Sequence, residues 1–169
     1  MGYAALYATV RAGSAVSPEA HTVRQTASEM VETTERSLVI FGLKAVALSE
    51  LRALADECAE ENWDGNGAYP IRQTAVILAA EFVRALPDDL PLPEFAAEPD
   101  GSISLDWIQS RTRLFSLSIG TSQRLAYAWL DGSDKGHAVS GFVRERIPAR
   151  ILQGVQEIVN NVHSSLRVA

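Results

Sequence analysis

Between Glu94 and Leu130 the apolar residues recur at every second position, and this alternation constrains the chain more than any other feature. "SISLDWIQ" sets Ile103, Leu105 and Trp107 against Ser102, Ser104 and Asp106. "RLFSLSI" places Phe115, Leu117 and Ile119 on one side, and "RLAYAWL" does the same with Leu125, Tyr127 and Trp129. Successive side chains of a strand point to opposite faces, so each segment offers one apolar face. The links "SRT", "GTSQ" and "DGSDKG" are short and polar. Links of that length join antiparallel neighbours and are too short for the crossover that parallel strands need. A short strand in "EFAAE" precedes them, with "PDG" at 99–101 as a turn, because proline presets φ and glycine supplies a positive one. A last strand is expected near His137–Val143. The spacing predicts an antiparallel meander of four to five strands.

Helical spacing flanks the meander. Val23, Ala27, Met30, Val31 and Thr34 fall at steps of three and four, predicting a helix over about 18–36. The apolar run 38–48 opens with "LVIFGL", which reads equally as a short buried strand or as more helix. Ser49 is expected to cap a second helix that runs to about Asn62 with Leu51, Leu54, Ala55 and Cys58 on its inner face. Pro70 suits the first position of a third, with Ile71, Ala75, Leu78, Ala79, Phe82 and Leu86 buried. Pro87, Pro91 and Pro93 make a stiff extended crossing into the sheet. Pro148 opens a terminal helix with Ile151, Leu152, Val155, Ile158, Val159 and Val162 as its stripe. The expected fold class is α+β: a meander sheet with two helices before it and one after it, plus an N-terminal helical segment. The expected organisation is an N-terminal extension at 1–48 and a compact α+β domain at 49–169, a length that can bury a sizeable core.

One face of the expected sheet is bulky and the other is small. Ser102, Ser104, Asp106, Ser116, Ser118, Ala126 and Ala128 share the second face. Antiparallel sheets commonly leave one face in water. A face of serine and alanine also admits close approach by a helix, another subunit or a ligand, and both readings stay open.

The stretch "ENWDGNGAYPI" concentrates unusual chemistry between two helical runs. From Asn62 it reads N-x-D-x-N-G, which matches the first six positions of a calcium loop. The match then fails. Pro70 stands at position nine and Gln73 at position twelve, where a bidentate glutamate should sit, and Asp64 alone brings a charge. One carboxylate does not offset the dehydration of a divalent cation, so no metal is expected. The architectural reading gives every residue a role. Asn62 or Gly65 takes the left-handed conformation that ends a helix, and Gly67 permits a second bend. Asp64 and Asn66 accept hydrogen bonds from turn amides. Trp63 and Tyr69 pin the corner to the core, and Pro70 restarts the helix.

This corner, with "EPDGSISLDW" and "LAYAWL" further on, resembles a group of small bacterial proteins of unknown function. They pair an NWDG-x-GA-x-P corner with a later P-x-G-x-I-x-L-[ED]-W strand. The resemblance covers about residues 50–166, and Asp106 stands where that group more often has glutamate. It implies a domain of this kind and brings no activity or catalytic residue with it.

Other chemistries find little support. Cys58 lies on an apolar stripe, where a cysteine acts as a small hydrophobe, and a single cysteine forms no internal disulfide. His21, His137 and His163 show no metal-ligand spacing, and neither a nucleophile elbow nor a phosphate loop is present. The net charge of −6 argues against binding a phosphate backbone. Residues 49–100 hold twelve acids against Arg52, Arg72 and Arg84, while residues 101–169 hold five acids and eight bases. The start lacks a basic segment ahead of an apolar run, and the apolar window 38–48 is too short to span a bilayer, so a cytoplasmic protein is expected. The expected function is a non-catalytic protein–protein interaction module needing no cofactor, of the antitoxin, immunity or inhibitor type. The rival readings are a small enzyme with a site near Asp64 and Asp106, and a self-associating structural domain.

Overall fold

The computed structural model describes residues 18–143 and 146–160, with elements in the order α1 (Pro18–Glu57), α2 (Gln73–Ala85), β1 (Glu94–Ala97), β2 (Ile103–Ser110), β3 (Arg113–Ile119), β4 (Arg124–Asp131), β5 (Asp134–Gly141) and α3 (Ala149–Asn160). The first part of the N-terminal extension, residues 1–17, and the place of Val162 fall outside the described residues. The fold is α+β. Its single sheet has the strand order β1-β2-β3-β4-β5, every pair antiparallel, as the alternation requires. The chain divides into two compact units, residues 1–39 and 40–169.

The helices differ from the sequence expectation at their ends. No second helix begins at Ser49, because α1 is continuous from Pro18 to Glu57. Nothing between Ser37 and Ser49 breaks a helix: there is no proline, and Gly42 is the lone glycine. Apolar residues stand on all sides of this stretch, so it carries no periodic stripe to reveal its state. The helix ends at Glu57 instead of near Asn62. Pro70 does not open α2, which starts three residues later at Gln73 behind an extended Arg72 with φ −80 and ψ 130. The cause is long-range. Tyr69, Ile71 and Arg72 donate their amides to the carbonyls of Pro99, Cys58 and Gly101, at 2.8, 3.0 and 3.1 Å, and this holds the segment extended. The last strand begins at Asp134, three residues ahead of the expected start, because the β4–β5 hairpin turns tightly through Gly132 at φ 65.

The core lies between α2, α3 and one face of the sheet. Ile103, Leu105, Trp107, Phe115, Leu117, Ile119, Leu125 and Tyr127 supply that face, and all are buried. Phe82 of α2 is fully buried, with ring centroids 6.5 Å from Trp107 and 5.8 Å from Phe142. Truncating such a ring to alanine costs about 3–5 kcal/mol. The indole of Trp107 donates to the Pro91 carbonyl at 2.8 Å, which fastens the proline-rich crossing to the sheet. On α1, Ala47 and Leu51 are buried and Leu48, Leu54 and Ala55 are half-buried, and Cys58 is buried just past the end of the helix. Lys44 Nζ donates to the Leu86 carbonyl at 2.6 Å and pairs with the Asp88 carboxylate at 2.8 Å. One ammonium thereby satisfies a carbonyl beyond the end of α2 and favours the negative end of its dipole.

Candidate functional site

Three regions of the second unit hold the sequence candidates or the chemistry that the sequence hid. The first is the corner. Asn62, Gly65 and Gly67 take positive φ of 63, 74 and 91. The Asp64 carboxylate accepts the backbone amides of Asn66 at 2.8 Å and Ala68 at 3.0 Å. These two amides hold its pKa below the usual carboxylate range. The Asn62 side-chain oxygen accepts the Gly67 amide at 2.7 Å. Asn66 works in the opposite sense to the expectation, because its side-chain amide donates to the Asp64 carbonyl at 3.1 Å. Trp63 closes the loop by donating its indole N–H to the Tyr69 carbonyl at 3.0 Å. Tyr69 does not pin the corner to the core: its side chain is 57% exposed, and only its backbone is engaged. The hollow beside Pro70 is lined by Glu61, Tyr69, Pro70, Ile71 and Arg72, and Asp64 takes no part in it.

The two motifs quoted from the sequence meet here. The turn at Pro99–Gly101 docks on the corner through the amides of Tyr69 and Arg72. Gly101 has φ 84, and a Cβ built on it would lie 2.7 Å from the Pro70 carbonyl oxygen, so both the bend and the approach require glycine. Asp100 accepts the Ser102 amide at 2.9 Å, and the Ser102 hydroxyl and amide together lower its pKa.

The second region is the sheet face away from the helices. The register places Ser104, Asp106, Ser116, Ser118, Ala126 and Ala128 on it together, with Glu94, His137 and Val139 from the outer strands. Its serine half is internally bonded. Ser104 donates to Asp106 at 2.8 Å and lies 3.1 Å from the Ser116 hydroxyl, while Ser118 donates to Glu98 at 2.7 Å. Ser102 and Ser104 are buried. Ala126 and Ala128 are exposed, as are Ile108 and Val139. Asp64 and Asp106 therefore belong to different elements, and each carboxylate is occupied by its own neighbours.

The third region was not anticipated. The sheet is five strands wide, but α2 packs on β2 and β3, and α3 on β2, β3 and β4. The side of β5 that shares the helix-covered face carries Asp134, Gly136, Ala138 and Ser140, all small except the first. A cleft of about 260 Å³ remains between α3 and the end of β4 and β5. Tyr127 and Trp129 form its aromatic wall, with centroids 6.2 Å apart and planes 29° apart. Asp131, Asp134, Arg150 and Glu157 bring charge to it. Two glycines shape it. A Cβ at Gly136 would lie 2.2 Å from the Trp129 ring, so the indole rests directly on the β5 backbone. A Cβ at Gly154 would lie 2.6 Å from the Phe115 ring, so α3 comes close to the sheet at that point. Arg113 braces the cleft by donating to the Glu157 carbonyl at 2.8 Å. Its Nε lies 3.6 Å from the Asp131 carboxylate, too far for a hydrogen bond but near enough to attract. The sequence signal was the sparse "WLDGSDKG" hairpin, where an aromatic and two acids flank glycines.

Among the described residues no group of three or more histidine, cysteine, aspartate and glutamate side chains is placed to hold a metal ion. Cys58 is buried, and burial raises its pKa, with Glu57 adding to the shift. No helix among the described residues is long and apolar enough to cross a membrane. Comparisons with protein-family models, with curated proteins and with solved structures find no match to this chain.

Proposed function

We propose that the chain is a non-catalytic protein–protein interaction module whose contact surface includes the middle of α1. The observation that carries this reading is the exposure of Phe41 at 76%, Leu43 at 54% and Val46 at 56% in a stretch that is already buried along Ala47 and Leu51. A helix apolar on all sides is ordinarily covered on all sides. Leaving three large apolar side chains in water forgoes about 1.5–3 kcal/mol each. Leu43 and Val46 are one turn apart and share a face of the helix, and adjoining exposed apolar side chains mark contact sites.

The corner supports the same conclusion from the other direction. It is the most polar and distinctive stretch of the sequence, yet the Asp64 carboxylate and the Asn62 side-chain oxygen are taken by the loop's own amides. The enzyme reading rested on Asp64 and Asp106 converging on a substrate, and their local partners speak against it. A neutralising role of the antitoxin, immunity or inhibitor type fits an acidic module acting by surface occupation. Self-association through α1 or through the alanine end of the sheet is the second reading, favoured by the same exposure.

The experiment uses the tagged full chain and its Phe41→Asp and Leu43→Asp variants, with recovery of bound protein from the source cell and sedimentation at several concentrations. The proposal expects a stoichiometric complex, with another protein or with itself, that both variants weaken at least tenfold. A monomer at every concentration with no stoichiometric partner contradicts it, as does a complex indifferent to both changes.

A further inference from the structure

The two edges of the sheet are guarded unequally. The β1 edge is four residues long and follows Pro91 and Pro93, the short, proline-flanked form that discourages pairing. β5 is eight residues long and matches β4 in unbroken register from Asp131↔Asp134 to Arg124↔Gly141. It contains no proline or bulge, and Lys135 is its one protective lysine. The cleft described above reaches this edge at Asp134, and Gly136 and Ala138 follow on the same side of β5.

We infer that the β5 edge accepts an extended segment of another protein and that a lysine or arginine of that segment inserts into the cleft. This deepens the interaction-module reading and rests on it. A strand added to β5 would place alternate side chains on the face of Asp134 and Gly136. The cleft fits one long basic side chain in three respects. Its volume of about 260 Å³ falls below the roughly 300–1,000 Å³ of small-molecule sites, yet it admits a single side chain. Its wall of Tyr127 and Trp129 offers aromatic surface to a cation and to the apolar stem that carries it. Its charge is complementary: Asp131, Asp134 and Glu157 stand against Arg150, while Arg113 lies near Asp131 and is held by the Glu157 backbone carbonyl. Among the described residues Asp134 and Glu157 have no ion pair, so two carboxylates remain for an incoming cation. Main-chain pairing would supply affinity, and the pocket would supply selectivity.

The test titrates the full chain with a capped, threonine-based five-residue strand peptide bearing a central arginine. The same peptide with a central norleucine, with a central glutamate, or with an N-methylated backbone serves as control. Readouts are the Trp129 indole signal by NMR and hydrogen exchange of the β5 amides. The arginine peptide is expected to shift the indole and protect β5. Each control peptide should bind at least tenfold more weakly, the change expected when a charge-assisted or ladder contact is lost. Asp134→Asn and Glu157→Gln alter exposed side chains and should each reduce affinity for the arginine peptide while leaving circular dichroism unchanged. No shift at millimolar arginine peptide, equal binding of the glutamate peptide, or shifts confined to residues away from β5 and the cleft would overturn the inference. Phe41→Asp should leave the titration unchanged, so failure of the α1 surface and failure of the edge are separately visible.

Discussion

The corner at Asn62–Arg72 and the middle of α1 at Phe41–Val46 invert what each looks like in the sequence. The corner has the carboxylate, amides and aromatics of a binding site, and its hydrogen bonds turn inward. Asp64 and Asn62 take three amides of their own loop, and the backbone beyond them joins the turn at Pro99–Gly101. The α1 stretch looks like plain core, yet Phe41, Leu43 and Val46 are exposed. The corner's polar groups are bonded within the loop, whereas the large groups that α1 leaves exposed are apolar.

Predictions that strain this contrast can be ranked by size. Gly101→Ala carries the largest expected effect on folding. It forces a side chain into positive φ and against the Pro70 carbonyl oxygen at 2.7 Å, and should cost roughly 2–4 kcal/mol by urea unfolding. An unchanged midpoint would mean that the corner and the turn are not locked together. Lys44→Met is smaller. It removes the donor to the Leu86 carbonyl and the partner of Asp88, and should cost about 1–2 kcal/mol. Leu43→Asp, one helical position away, should leave folding within about 0.5 kcal/mol while removing association. Neighbouring positions on one helix would thus separate stability from binding.

The smallest effect is a pH dependence. Asp64 has a folded pKa below its unfolded value of about 3.9, so it stabilises the fold above that value, and the contribution is lost as pH falls through the lower folded value. Asp64→Asn should therefore flatten the acid limb of stability below about pH 4 and leave the dependence at neutral pH unaltered. The same limb in wild type and variant would show that the two amides do not hold the carboxylate.

The sheet was legible because its signal is local: alternation, short polar links and turn glycines each report on adjacent residues. The positive φ values at Asn62, Gly65 and Gly67 were legible for the same reason. What stayed hidden depends on distant partners. Pro70 is extended, not helical, because Pro99 and Gly101 claim the amides on either side of it. The continuity of α1 was obscured by β-branched and aromatic residues around its whole circumference, which imitate a buried strand. The cleft exists because Gly136 lies beneath Trp129 and Gly154 faces Phe115, two juxtapositions that no sequence window contains.

The central claim is that α1, and not the corner, meets the partner. The direct measurement is parallel recovery of the bound complex by the wild-type chain, Leu43→Asp and Asp64→Ala under identical conditions. The account predicts that Leu43→Asp loses the complex, whereas Asp64→Ala keeps it despite a lower melting temperature. Loss with Asp64→Ala at an unchanged melting temperature, together with full retention by Leu43→Asp, would contradict it.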